Sequence, residues 1–190
     1  LHKEYRRQRQ MCIRDRTQYG YDFDQPFDAV LALDDAAGER IRLEGRVIDG
    51  DGNAINDALV EISQPDGEGR YPQTPAQARE LGFRAFGRVG TGTDAQNRFV
   101  FHTVKPGAES PGEAPHINVI VLMRGLLLHA FTRVYFSDEA EANASDAVLQ
   151  SVPAERRHTL VAQRVERGGA VSYRFDIRMQ GAEETAFFDV

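Results

Sequence analysis

Residues 116–136 read HINVIVLMRGLLLHAFTRVYF, and this stretch decides the fold class. It contains the two most apolar runs of the chain, 116–123 and 126–136, which are interrupted by Arg124 and Gly125. Both runs are rich in β-branched and aromatic side chains, a composition that is typical of central strands. We therefore predict two central strands here.

The segments on either side of this stretch repeat a strand–turn–strand pattern. In residues 41–48, Ile41, Leu43 and Val47 lie on one face, with the period of two that a half-buried strand requires. Further strands are predicted from the same kind of pattern at 58–64, 86–91, 99–103 and 171–179. Short helices are predicted at 75–81, at 138–149 with Asp138 as the N-cap, and at 153–161. Many short strands with little helix predict an all-β sandwich.

Composition and charge exclude several classes of protein. The 190 residues are 41% hydrophobic and 27% charged, which suffices for one packed domain. The formal net charge of −6 disfavours a nucleic-acid partner. No apolar run reaches the length of a membrane span, and a single cysteine cannot form an internal disulfide. These features predict a soluble, cytoplasmic protein without a membrane or nucleic-acid partner.

Residues 1–16 (LHKEYRRQRQMCIRDR) differ from the rest of the chain. They carry a local charge of +4, so residues 17–190 carry −10, and they contain Cys12, the single cysteine. We interpret this segment as translated adapter sequence at the edge of an assembled fragment, with a disordered basic arm as the alternative. Residues 17–190 are then expected to form a single domain.

Two residues stand out as candidates for chemistry. His116 begins an apolar strand directly after a loop, where it is either a hydrogen-bonded strand-end histidine or a ligand. A pair of histidines two residues apart would share one face of the strand, but the second position holds Asn118. Arg124 either caps a strand end in solvent or directs its planar guanidinium at a carboxylate of the protein or of a ligand.

Four separate blocks of this sequence closely resemble the intradiol ring-cleaving dioxygenases. They are residues 40–71, 86–107, 114–149 and 173–190, which follow one another in the order found in that family. The sequences HIN, MRGLLLH and QGAEETAFFD resemble in particular the non-catalytic subunit of a two-subunit member. The resemblance implies a β-sandwich of the intradiol dioxygenase type, with short helices in loops and toward the C-terminal third.

The resemblance also implies a ferric centre that this chain does not reproduce. The family holds Fe(III) with two tyrosines and a His-x-His pair, and the iron binds the catechol while O2 attacks the ring. His116 matches the first histidine, Asn118 replaces the second, and the loop after Lys105-Pro106-Gly107 contains no tyrosine. We therefore expect no catalytic residue and no metal ligand on this chain, which alone should be inactive, and we expect Fe(III) on a partner subunit.

For this chain, the resemblance implies a wall of the active site shared with the iron-bearing partner in a larger hetero-oligomer. Arg124 is the residue expected to face that cavity and bind the carboxylate of an aromatic acid substrate. The sequence departs from the family at two places. Ser63 stands where a tryptophan is usual, and an N-terminal segment that helps to line the pocket is replaced by residues 1–16.

Two other functions remain open at this point. A single-chain dioxygenase with unusual ligands would need iron bound by groups such as His116, His129 and carboxylates. A transthyretin-like β-sandwich that acts as a binding module would need no ring-cleaving partner. A neighbouring reading frame that encodes the full ligand set would favour the subunit hypothesis.

Overall fold

The computed structural model describes residues 28–189. Their fold is built from nine strands, three short helices and two 3₁₀ turns. The strands are β1 (Arg40–Ile48), β2 (Leu59–Ser63), β3 (Phe86–Gly90), β4 (Arg98–Val104), β5 (His116–Leu122), β6 (Ala130–Phe136), β7 (Val161–Arg167), β8 (Ala170–Arg174) and β9 (Ile177–Arg178). The helices are α1 (Pro75–Glu80), α2 (Ala140–Ser145) and α3 (Ala147–Ser151), with 3₁₀ turns at Thr91–Thr93 and Ala154–Leu160. The predicted all-β class is confirmed.

The strands form two layers that share one core. One layer has the order β3-β2-β5-β6 and the other β7-β8-β1-β4, and a short parallel pairing of β6 with β7 joins them. Most neighbours are antiparallel, whereas β1 pairs in parallel with β8 and β9. Strands β5 and β6 lie side by side, as predicted for central strands.

The core between the layers follows the predicted alternation. Ile41, Leu43 and Val47 of β1 are buried together with the β5 residues Ile117 and Val119. Side chains of this size each contribute about 1.5–3 kcal/mol when they are fully buried. Because these residues fill the space between the layers, the alternate residues of each strand face outward.

Strand β6 begins later than the sequence indicated. The predicted strand covered residues 126–136, but residues 126–129 belong to the connection from β5, and β6 starts at Ala130. Leu127 is fully exposed and Leu128 is 80% exposed. An apolar run alone does not distinguish a buried strand from an exposed apolar turn.

The helix predicted over residues 138–149 is in fact two helices, which are separated at Asp146. Asp146 is the N-cap of α3, where its side chain accepts a hydrogen bond from the Leu149 amide. The prediction of Asp138 as an N-cap was wrong, because Glu139 holds that position in α2. Asp138 instead accepts hydrogen bonds from Lys105 and Tyr173.

The C-terminal part also differs in detail from the prediction. The alternating segment is divided into β8 and β9, the segment predicted as a helix at 153–161 is a 3₁₀ turn, and β7 was not predicted. Within residues 28–189, no helix combines the length and the apolar character that crossing a membrane requires. Residues 1–16, interpreted above as adapter sequence or a basic arm, lie outside the described residues.

Candidate functional site

The outer face of the β5–β6 hairpin carries four polar side chains side by side. His116 is paired in register with Tyr135, and Asn118 is paired with Arg133. Directly opposed residues in an antiparallel pair point to the same face, with their Cβ atoms about 4.5–5.5 Å apart. These four residues therefore form a compact group on the side of the hairpin that faces away from the core.

His116 is buried and neutral. Its Nδ1 atom lies 2.9 Å from the carbonyl oxygen of Ala114. Burial, and to a smaller extent the nearby charge of Arg133, lowers the pKa of the imidazole to about 4. Since a carbonyl only accepts, Nδ1 carries the proton and Nε2 carries a lone pair. This is the tautomer that metal-binding histidines adopt when a carbonyl orients them.

Asn118 and Arg133 are also buried, with 6% and 7% of their surface exposed. Among the residues that the structure describes, His116 Nε2, Asn118 Oδ1 and Arg133 Nη1 have no hydrogen-bond partner. Three such atoms on one patch are unusual, because buried polar groups in folded proteins nearly always find partners.

Tyr135 and Asp146 complete the group, which we call the polar centre (His116, Asn118, Arg133, Tyr135 and Asp146). The Tyr135 hydroxyl donates to Asp146 Oδ1 at 3.0 Å, and Arg133 lies within hydrogen-bonding reach of the same hydroxyl. Burial raises the pKa of Tyr135, mainly because the phenolate would lose its hydration. Tyr135 is therefore a neutral phenol at neutral pH.

Asp146 is fully buried and accepts two further hydrogen bonds. The Ala114 amide donates at 2.9 Å and the Leu149 amide at 2.8 Å. Burial by itself raises the pKa of Asp146, but the donors from Leu149, Ala114 and Tyr135 outweigh it, so the pKa is lowered. Asp146 is thus a stable carboxylate that ties α3 to the start of β5 and to β6.

The polar centre does not fit a ferric site. It offers one metal-ready histidine nitrogen, while Asn118 and Arg133 occupy the neighbouring positions. Across residues 28–189, no group of three or more His, Cys, Asp or Glu side chains could hold a metal ion. His129 cannot add a metal ligand to the polar centre, because it lies beside the turn at the far end of the hairpin. Strand β5 separates it from His116 by roughly 20 Å.

Ser63 lies next to the polar centre. It is paired in register with Asn118 on one side and with Phe86 of β3 on the other. Ser63 therefore points to the same outer face as Asn118.

Arg124 lies in the turn between β5 and β6, at the opposite end of the hairpin from His116. Its side chain is 88% exposed, and Nε donates to the carboxylate of Asp57. Of the two interpretations of Arg124, the structure thus shows a solvent-exposed arginine that already contacts one protein carboxylate. Among the described residues its Nη groups form no hydrogen bond or ion pair, so they are free to bind a second carboxylate.

Sequence reasoning missed Arg133, Tyr135, Asp146 and Asp57. A signal for Arg133 was present, because a charged residue interrupts the apolar run FTRVYF. Its period of two places Phe131, Arg133 and Tyr135 on one face. No local pattern pointed to Asp57, or to the contacts of Asp146 with Ala114 and Tyr135, because these partners lie farther away in the sequence.

Comparison with known proteins identifies the family to which this fold belongs. A family model described as Dioxygenase matches residues 21–114. The chain is 59% identical over 174 residues to the protocatechuate 3,4-dioxygenase alpha chain of Burkholderia cepacia, covering 91% of this chain and 88% of that one. It is 32% identical over 161 residues to the protocatechuate 3,4-dioxygenase beta chain of the same species, covering 78% and 67%.

A solved structure shows the same architecture. It is the dioxygenase domain of a dioxygenase–carbohydrate-binding protein fusion from Streptomyces sp. SirexAA-E, with a TM-score of 0.64 and 24% identity over 84% of this chain and 88% of that one. The β-sandwich is thus of the dioxygenase type. The chain belongs to the intradiol ring-cleaving dioxygenase family. This family uses iron, so the poor fit of the polar centre to iron is a departure within the family.

Proposed function

We propose that this chain is the alpha subunit of a protocatechuate 3,4-dioxygenase, that it binds no iron itself, and that it pairs with an iron-bearing beta subunit in a larger αβ oligomer. The partner's Fe(III) would support cleavage of protocatechuate by O2 to 3-carboxy-cis,cis-muconate. The identity to a protocatechuate 3,4-dioxygenase alpha chain and the similarity to a beta chain support this assignment.

The polar centre is the observation that carries the proposal. At the place where a catalytic member of the family needs a second histidine, the chain has Asn118, and Arg133 faces it across the hairpin. One histidine nitrogen cannot hold a ferric ion that requires several convergent ligands. The iron chemistry therefore belongs to a partner, and the contribution of this chain is to shape the cavity and bind the substrate.

Arg124 is the residue that we assign to substrate binding. The contact of Nε with Asp57 fixes the guanidinium while leaving its Nη groups available, and this geometry suits a planar carboxylate. Residues 17–190 carry a charge of −10, which repels an anionic aromatic acid at long range. A local cation is therefore needed where the substrate carboxylate binds, and Arg124 supplies it.

We expect Arg124→Ala, in the complex with the beta subunit, to raise KM for protocatechuate about 10-fold or more while kcat changes little. A charge-assisted hydrogen bond contributes about 1.5–3 kcal/mol, and losing binding that is equal in the ground and transition states changes KM alone. The measurement is the initial rate of ring cleavage against protocatechuate concentration. The wild-type chain without the beta subunit should show no ring cleavage at all.

Two controls separate recognition of the carboxylate from general damage. Catechol lacks the carboxylate, so its kinetic constants should be the same for the wild-type complex and for Arg124→Ala. Arg167→Ala removes an exposed arginine from the other layer and should leave KM for protocatechuate unchanged. Unchanged kinetics of Arg124→Ala would remove Arg124 from the site, and ring cleavage by the lone chain would refute the subunit assignment.

A further inference from the structure

Arg133 is a buried cation that forms no ion pair with any carboxylate of residues 28–189. It lies in the middle of β6, is 7% exposed, and has an Nη1 atom with no hydrogen-bond partner in that range. Burying an arginine in this way is costly unless its charge is balanced. The balance comes indirectly, since the Tyr135 hydroxyl lies between Arg133 and the carboxylate of Asp146.

The positive charge of Arg133 lies on the same face of the hairpin as His116 and Asn118. Arg133 lies directly opposite Asn118 and one position diagonally from His116. The lone pair of His116 Nε2, fixed by the hydrogen bond from Nδ1 to Ala114, is therefore on the face that the guanidinium occupies. The charge of Arg133 already acts on the imidazole of His116, and a metal ion bound to Nε2 would add a second positive charge on this face.

We propose that the guanidinium of Arg133 takes the place of a metal ion in the polar centre and keeps this centre metal-free. The inference goes beyond the subunit assignment, because it concerns a charge built into this chain and not its partner. A metal cation and the guanidinium would repel each other strongly if both occupied one buried site. On this proposal, loss of the second histidine and the charge of Arg133 together keep the centre metal-free.

The test restores the histidine with and without the cation, in the full chain, using cobalt(II) as the probe. Asn118→His alone should bind no more cobalt than the wild type. Asn118→His combined with Arg133→Gln should gain about one equivalent, with the visible d–d absorption of a site with histidine ligands. Glutamine is chosen because it is neutral and can still donate a hydrogen bond to Tyr135.

The matched control keeps the positive charge at position 133 and changes the shape of the side chain that carries it. Asn118→His combined with Arg133→Lys should stay at the wild-type level of cobalt, because lysine retains the positive charge. Circular dichroism and thermal unfolding establish that each variant is folded. Uptake of one equivalent by Asn118→His alone, or by the lysine variant, would overturn the proposal. A folded glutamine variant that takes up no cobalt would also overturn it.

Discussion

Replacing Leu127 and Leu128 together by aspartate is expected to weaken assembly with the proposed beta subunit severely. Both side chains project from the β5–β6 turn, one fully exposed and the other 80% exposed, and Leu122 at the end of β5 is 38% exposed. Exposed apolar groups that cluster in this way mark interaction sites. Arg124 lies in the same turn, so an active site shared between the subunits would bring the partner to these leucines.

The expected loss of affinity is at least 100-fold. Burying a leucine side chain in an interface contributes about 1.5–3 kcal/mol, so losing two exceeds the 2.7 kcal/mol or so that corresponds to a factor of about 100. Co-purification with a tagged beta subunit and analytical ultracentrifugation measure the effect. The variant chain itself should keep its circular dichroism spectrum, because neither leucine packs in the core.

Ala170→Asp is a suitable control, since it adds a charge to an exposed residue at the start of β8 in the other layer. This variant should assemble normally. Full assembly of the double aspartate variant would show that the partner contacts another surface and would weaken the placement of Arg124 at the shared site.

The second large effect is expected for Asp146→Ala, which should lower the free energy of unfolding by about 3–5 kcal/mol. The change removes the N-cap of α3 and leaves the Ala114 amide and the Tyr135 hydroxyl buried without their acceptor. For a chain of this size the melting temperature should fall by roughly 10 °C. Thermal and urea unfolding of the full chain provide the measurement.

The loss of unfolding free energy caused by Asp146→Ala should become smaller as the pH falls. The pKa of Asp146 is lowered in the folded chain, so the carboxylate stabilises the fold above the unfolded-state pKa, and this contribution is lost as the pH falls through the folded value. The difference between wild type and variant should therefore shrink in acid. Asp51→Ala, in an exposed turn, should cost less than about 0.5 kcal/mol. A loss for Asp146→Ala as small as that would contradict the tethering role of Asp146.

The strands could be predicted from the sequence because their alternation is local. Ile41, Leu43 and Val47 are two or four residues apart, and the requirement to bury one face of a strand acts directly on that spacing. The prediction of the start of β6 failed, because an apolar run can be either a buried strand or an exposed turn. Leu127 and Leu128 are apolar but lie exposed in the turn before β6, so hydrophobicity alone could not show that β6 begins at Ala130.

The polar centre could be predicted only in part. His116 and Asn118 are two residues apart on one strand, so the degenerate pair was visible. Arg133 faces Asn118 through the register of the hairpin, and Asp146 reaches Tyr135 from a helix cap, so both depend on tertiary contacts that no spacing encodes. The charge that we propose excludes the metal was therefore found from the structure.

The most direct test of this account is the iron content and visible spectrum of the full chain, purified alone and after co-expression with the beta subunit. The lone chain should be colourless and hold almost no iron. The complex should be red-brown from tyrosinate bound to Fe(III), with about one iron for each αβ pair. A coloured, iron-loaded lone chain would contradict the account, because the polar centre or another part of this chain would then supply the ligands.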